Sequence, residues 1–275
     1  MKLSASPWSV VEALESGRRT LEDFFETCHA HGIDEIELLA DFHWDGKTPE
    51  QMKACLDSRG MSVQCYSISG DFVVGEAEHR ACIQMVKDAV DQAVFFGAGR
   101  IRLFPGVTKD NIPYEEGLAL IKSGLSECAA YAAQKGIILC VENHGTYGGT
   151  SESLREILGL VSSPALLGNP DTGNFLLVDE DPVTAIQNLN GLVGHVHFKD
   201  FKRHTPPQYT SRGGVDYIGC PIGAGEVDLP TIVKLLAAQG YDGYLSIEQE
   251  ENGEIDCFDA LIQSIGYAKA LLQTL

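Results

Sequence analysis

The chain has 275 residues, 44% hydrophobic and 21% charged, with 39 Asp and Glu against 20 Lys and Arg for a formal net charge of −19. This composition excludes a disordered or collagen-like chain. The acidic balance argues against a groove that neutralises nucleic-acid phosphates and against an anionic membrane surface, although a local Arg or a metal still permits a small anionic substrate.

In chain order, apolar runs alternate with amphipathic segments. Met1 to Pro7 holds one Lys and no apolar run, so no targeting segment is expected. No stretch of about 18 apolar residues offers a membrane span. Strands are predicted at Lys2–Ser6 and Glu35–Leu39. Thr48-Pro49-Glu50-Gln51 then reads as an N-cap, a Pro at the first helical position and a Gln that closes a capping box. The helix it opens is predicted to stop near Arg59-Gly60. After a strand at Ser62–Ile68, Cys82, Met85/Val86, Ala89/Val90 and Ala93/Val94 recur at helical spacing up to Gly97.

Further strands are predicted at Arg100–Phe104, Ile137–Glu142, Ala165–Asp171, Leu192–Lys199 and Gly243–Glu248. A last helical stripe runs through Phe258, Leu261/Ile262, Ile265 and Ala268. The continuous apolar character of the strands, as in Ile137-Ile138-Leu139-Cys140-Val141, suits a parallel sheet covered on both faces. Eight strands with intervening helices predict an α/β fold, a single closed (β/α)8 barrel over residues 1–275. An open doubly wound sheet is the alternative. The Gly- and Pro-rich connection Asp200–Asp228 is long enough to be a binding loop or lid.

The eight cysteines form no C-x-x-C pair and mostly sit in apolar surroundings, which predicts reduced thiols and a cytoplasmic location.

Four strand ends carry polar residues foreign to a barrel core: Glu142 in Val141-Glu142-Asn143-His144-Gly145, Asp171 in Asn169-Pro170-Asp171-Thr172-Gly173-Asn174, the pair His195 and His197, and Glu248 in Leu245-Ser246-Ile247-Glu248. All four open onto the C-terminal face, where barrel active sites lie. Converging carboxylates repel unless a cation joins them. Three carboxylates and one imidazole suit one divalent ion such as Mn2+, Mg2+, Co2+ or Zn2+. His197, nearer the strand end, is the expected ligand; His195 lies one pleat deeper. Rival motifs are absent: there is no H-E-x-x-H, no G-x-S-x-G and no G-x-G-x-x-G after a strand. Gly70–Gly75 has phosphate-loop spacing, but Glu76 stands where the Lys is needed.

At V-E-N-H, N-P-D-T-G-N, H-V-H-F-K-D and G-E-V-D-L-P…G-Y-D-G-Y-L-S-I-E, the sequence resembles the xylose-isomerase-like TIM-barrel family over nearly its whole length. That family includes ketose 3-epimerases, inosose isomerases and dehydratases, hydroxypyruvate isomerases and dehydroshikimate dehydratases. The resemblance implies Glu142, Asp171, His197 and Glu248 as ligands of one divalent ion. In the epimerase branch an Arg shortly after the metal His grips substrate, an offset matched by Arg203. A His three residues after the metal Asp helps there too, but this chain has Asn174. The DNA-repair endonuclease branch needs three zinc ions and a basic surface, neither of which is visible.

The implied function is an isomerase or epimerase of a sugar, sugar acid or cyclitol ketone through a cis-enediolate. Glu142 and Glu248 would move the proton, and His144, Asn174, Lys199 and Arg203 would bind substrate. The first alternative is a dehydratase on a keto-cyclitol or dehydroshikimate-like substrate; the second is a non-catalytic accessory barrel. A small-molecule partner and self-association through the outer helices are expected, with no nucleic acid and no membrane.

Overall fold

Thr48 caps the helix Pro49–Asp57 as its sequence requires: its Oγ1 accepts the Gln51 N–H at 3.3 Å, and Gln51 Oε1 accepts the Thr48 N–H at 2.9 Å. The long helix Glu76–Phe96 ends where Gly97 takes the left-handed conformation at φ 76°. Such local signals set element boundaries throughout a computed structural model that describes residues 1–250 and 253–275.

Eight strands form one parallel sheet: β1 (Lys2–Ala5), β2 (Glu35–Leu39), β3 (Ser62–Ser67), β4 (Arg100–Leu103), β5 (Ile138–Glu142), β6 (Leu166–Asn169), β7 (Val196–Phe198) and β11 (Tyr244–Ile247). Their order is β6-β5-β4-β3-β2-β1-β11-β7. The ring closes between β6 and β7 through parallel bridges Gly168–Val193 and Asp171–His197. The result is the closed α/β barrel predicted, and the open-sheet alternative falls. β7 is shorter than the expected Leu192–Lys199 because its pairing with β6 is carried by isolated bonds, such as Gly168 N–H to Leu192 O at 2.7 Å, rather than by a regular ladder.

The outer faces of the strands pack apolar side chains against the helices, in a core that includes Ile36, Leu38, Ile101, Leu103, Leu139 and Val141. Inside the barrel the filling is polar. Gln64 Nε2 of β3 donates to Ser4 Oγ of β1 at 3.0 Å. Glu37 of β2 reaches across to His195, beside β7, and His197 of β7. The inward side chains Ser4, Glu37, Gln64, Ser67, Arg102, His195, His197 and Ser246 are all buried. All eight cysteines are free, seven of them buried.

The segment after β7 is structured. β8 (Phe201–Arg203), β9 (Tyr209–Thr210) and β10 (Asp216–Gly219) form an antiparallel sheet in the order β8-β10-β9. Phe201 anchors it by packing on Tyr209 and Tyr217, with ring centroids 5.5 and 6.5 Å away. Buried Asp200 ties its return: Oδ2 accepts the N–H groups of Gly223 and Gly225 at 3.0 and 2.9 Å, and Oδ1 that of Val227 at 3.1 Å. A Cβ on Gly225 would lie 2.2 Å from Asp200 Oδ1 and 2.4 Å from the Phe201 carbonyl oxygen. Gly225→Ala therefore forces this wall apart, at a cost of about 1–3 kcal/mol. Thermal unfolding should show Tm lower by about 3–10 °C; an unchanged Tm would contradict this close packing.

Candidate metal centre and active site

Glu142 ends β5, Asp171 lies two residues beyond β6, His197 lies in β7, and Glu248 follows β11. The register of parallel neighbours brings Ser246 beside His197 and Gly168 beside Val141, so these ends gather at one mouth. One ligand atom from each of Glu142, Asp171, His197 and Glu248 lies within 4.8 Å of the others, and all four residues are buried. From His197 Nδ1 the distances are 3.1 Å to Glu248 Oε2, 3.3 Å to Glu142 Oε2 and 3.9 Å to Asp171 Oδ2. Among the described residues, Glu142 Oε2, Asp171 Oδ2 and His197 Nδ1 are buried and make no hydrogen bond of good geometry, although each lies within ion-pair distance of a charged neighbour. Buried polar atoms left in this way need a partner, and a hard or borderline divalent cation fits this donor set.

The other side of His197 is fixed by Glu37, which meets Nε2 through both carboxylate oxygens at 3.1 Å. Glu37 also bonds His195 Nε2 at 3.2 Å, Ser246 Oγ at 2.8 Å and Ser67 Oγ. A carboxylate behind a ligating imidazole sets which nitrogen faces the metal. Sequence reasoning did not single out Glu37. Its signal was a carboxylate in the middle of Glu35-Ile36-Glu37-Leu38-Leu39, a strand otherwise suited to a core.

Two cations hold the carboxylates apart. Arg102 places Nε 3.3 Å from Glu142 and 3.8 Å from Glu37, with Nη2 4.0 Å from Glu248. Lys199 Nζ lies 2.9 Å from Asp171, 3.1 Å from Glu248 and 2.9 Å from Glu250. Burial alone would raise the Glu142 and Glu248 pKa values, but His197 with Arg102, and for Glu248 also Lys199, holds both below the usual carboxylate range. Asp171 behaves differently: burial, helped by the charges of Glu142 and Glu248, outweighs Lys199 and lifts it to about 6. Burial would lower the His197 pKa, yet Glu248, Glu37 and Glu142 hold it well above the ordinary histidine value.

The remaining expected residues divide. Lys199 is buried at the floor. Asn174 Nδ2 donates to Glu142 Oε1 at 3.2 Å and so orients that carboxylate. Exposed His144 lines the cleft, its ring 4.6 Å from that of Phe104. Arg203 is not brought to the cleft; its side chain, 68% exposed, pairs with Glu226 at 3.4 Å. Arg203 is the exposed last residue of β8, where the strand leaves the cleft. Glu250 enters unannounced, accepting from Lys199 at 2.9 Å and Tyr209 OH at 3.1 Å, and joins the β8–β10 wall to the floor. His144, Asn174, Lys199, Tyr209 and Glu250 help bound a cleft of about 880 Å3.

The family model described as xylose isomerase-like TIM barrel matches residues 25–271. This chain belongs to that family. An inosose dehydratase of Clostridium botulinum (strain Alaska E43 / Type E3) is 28% identical over 148 residues, 51% of this chain and 50% of the relative. The chain thus aligns with about half the length of the curated relatives it matches. Among solved structures, the IolI protein with a bound zinc atom superposes with a TM-score of 0.81 at 18% identity, covering 100% of this chain and 99% of the other. The probable 3-DHS dehydratase AsbF of Bacillus anthracis superposes at 0.75 with 20% identity, covering 98% of this chain and 99% of the other. Among the described residues of this xylose isomerase-like barrel, no helix is long and apolar enough to cross a membrane.

The geometry predicts one equivalent of Mn2+ or Co2+ per chain, measurable by calorimetric titration. Saturation near 100 times Kd should add about 2.7 kcal/mol of stability, a rise of about 5–10 °C in Tm. Asp171→Asn should abolish stoichiometric binding. Glu37→Gln, which touches the site through His197 and Arg102, should weaken it about 10–100-fold. Wild-type affinity in both variants would contradict the assignment.

Proposed function

We propose that this barrel is a divalent-metal-dependent enzyme that removes a proton beside the ketone of a small sugar, sugar acid or cyclitol. The observation that carries the reading is the pair Glu142 and Glu248, whose Oε2 atoms flank His197 Nδ1 at 3.3 and 3.1 Å. Both are buried at the cleft floor and held ionised by His197, Arg102 and, for Glu248, Lys199, so a proton acceptor is in place at neutral pH. Glu142, Asp171, His197 and Glu248 would hold the ion. When bound, it supplies Lewis-acid stabilisation of the negative charge developing on the ketone oxygen.

Two fates are open to the resulting enolate. Elimination fits this chain's residues best. The Lys199 ammonium, at the cleft floor beside Asp171, Glu248 and Glu250, donates a proton to a departing β-hydroxyl; the C–O bond breaks, water leaves and a conjugated enone forms. The positions that serve substrate in the epimerase branch support this choice, since Asn174 replaces a His and Arg203 is turned to Glu226. The curated relatives named inosose dehydratase support it as well. Reprotonation, giving an isomer or epimer, is the second reading; its support is that Glu142 and Glu248 offer two separate proton carriers.

Incubation of the Mn2+-loaded protein with candidate ketoses, keto-acids and keto-cyclitols in D2O tests both. Dehydration predicts a product that absorbs in the ultraviolet; isomerisation predicts solvent deuterium in a product that does not. Glu248→Gln should lower kcat by at least about 100-fold. A metal-loaded wild type that exchanges no C–H proton in any substrate of this class would contradict the proposal.

A further inference from the structure

The cations of the cleft are not equivalent. Arg102 and Lys199 each face three carboxylates. Arg212, on the β8–β10 wall, also lines the cleft, and among the described residues no carboxylate lies within ion-pair distance of its guanidinium. Its recorded side-chain bond is Nη2 donating to the Gly145 carbonyl oxygen at 3.2 Å. A guanidinium carries five N–H donors in a rigid fork, so most of this one is uncommitted.

The backbone that presents it is clamped on both sides. Arg212 N–H bonds the Leu177 carbonyl oxygen at 3.0 Å. The Asp179 carboxylate accepts from Ser211 Oγ at 2.6 Å and from the Gly213 N–H at 2.5 Å. Asp179 holds φ 59°, a left-handed conformation uncommon for a residue with a side chain. The surface under the guanidinium is glycine: a Cβ on Gly149 would lie 3.0 Å from Arg212 Nη2 and 2.4 Å from the Gly145 carbonyl oxygen. A fixed backbone, a fork with most of its donors unused and a glycine beside it together describe a receptor for an anion.

We infer that Arg212 binds an anionic group of the substrate, a carboxylate or phosphate remote from the ketone. The inference deepens the proposed function and rests on it. It assigns the substrate class: a ketone that carries a negative charge, not a neutral polyol. Repulsion from the carboxylates of the floor works in the same direction, because the charged end of such a substrate is best placed on the outer wall.

The test is calorimetric titration of the Mn2+-loaded protein with three matched ketoses: D-fructose, D-fructuronate and D-fructose 6-phosphate. Wild type should bind one of the two charged ketoses about 10-fold or more tighter than fructose, and the tighter one identifies the group as carboxylate or phosphate. Arg212→Gln should bring that ligand to the fructose level, while Arg212→Lys, which keeps the charge and loses the fork, should retain part of the preference. Equal binding of charged and neutral ketoses by wild type would overturn the role of Arg212 and leave enolisation standing. A preference that survives Arg212→Gln would overturn it too. Equal weakening of all three ligands would do the same, making Arg212 a latch to Gly145. If none of the three ketoses binds the metal-loaded protein, this inference falls, while the proposed function is decided by the C–H exchange experiment.

Discussion

Buried negative charge in excess of permanent positive charge is the constraint on which this molecule is built. Glu37, Glu142, Asp171, Glu248 and Glu250 converge at one end of the barrel, facing Arg102 and Lys199. Removing such groups from water is costly unless each finds a partner. His197 relieves part of the excess, with its Nε2 on Glu37 and its Nδ1 toward the other carboxylates. A divalent cation among Glu142, Asp171, Glu248 and Nδ1 would remove the rest. The donor set, the polar barrel filling and the two buried cations are parts of one electrostatic arrangement.

That arrangement reaches the walls of the cleft. Glu37 joins β2 to β3, β7 and β11 through Ser67, His197 and Ser246, so the direction of one imidazole depends on four strands. Glu250 joins Lys199 on the floor to Tyr209 on the β8–β10 wall. Asp200, next to Lys199 in sequence, holds the return of that wall through three backbone N–H groups. Floor and wall are therefore mechanically linked, and a shift in either is felt in the cleft.

The barrel was legible because its signals are local. Continuous apolar strands, a capping box at Thr48 and a helix stop at Gly97 each act within a few residues. The four strand-end residues were legible because a carboxylate or imidazole at such a place lacks a structural excuse. Glu37, Arg102 and Glu250 were harder to see, since their partners lie far away in sequence and their own neighbours look like ordinary strand. Arg102 had a faint signal in Arg100-Ile101-Arg102, whose alternation puts two cations on one face. Arg203 misled because an offset from His197 says nothing about where the following strand leaves the cleft, and Arg203 is the exposed last residue of β8. Arg212 lay hidden in a Gly-rich stretch that reads as loop until its clamps are visible.

The central claim is that one dication is held on the Nδ1 side of His197, and anomalous diffraction from crystals grown with Mn2+ tests it most directly. The account predicts a single strong peak in contact with Glu142, Asp171, His197 Nδ1 and Glu248. A peak instead among Glu37, His195 and His197 Nε2, the second buried cluster among the described residues able to offer ligands, would contradict it. So would the absence of any peak at the mouth of the barrel.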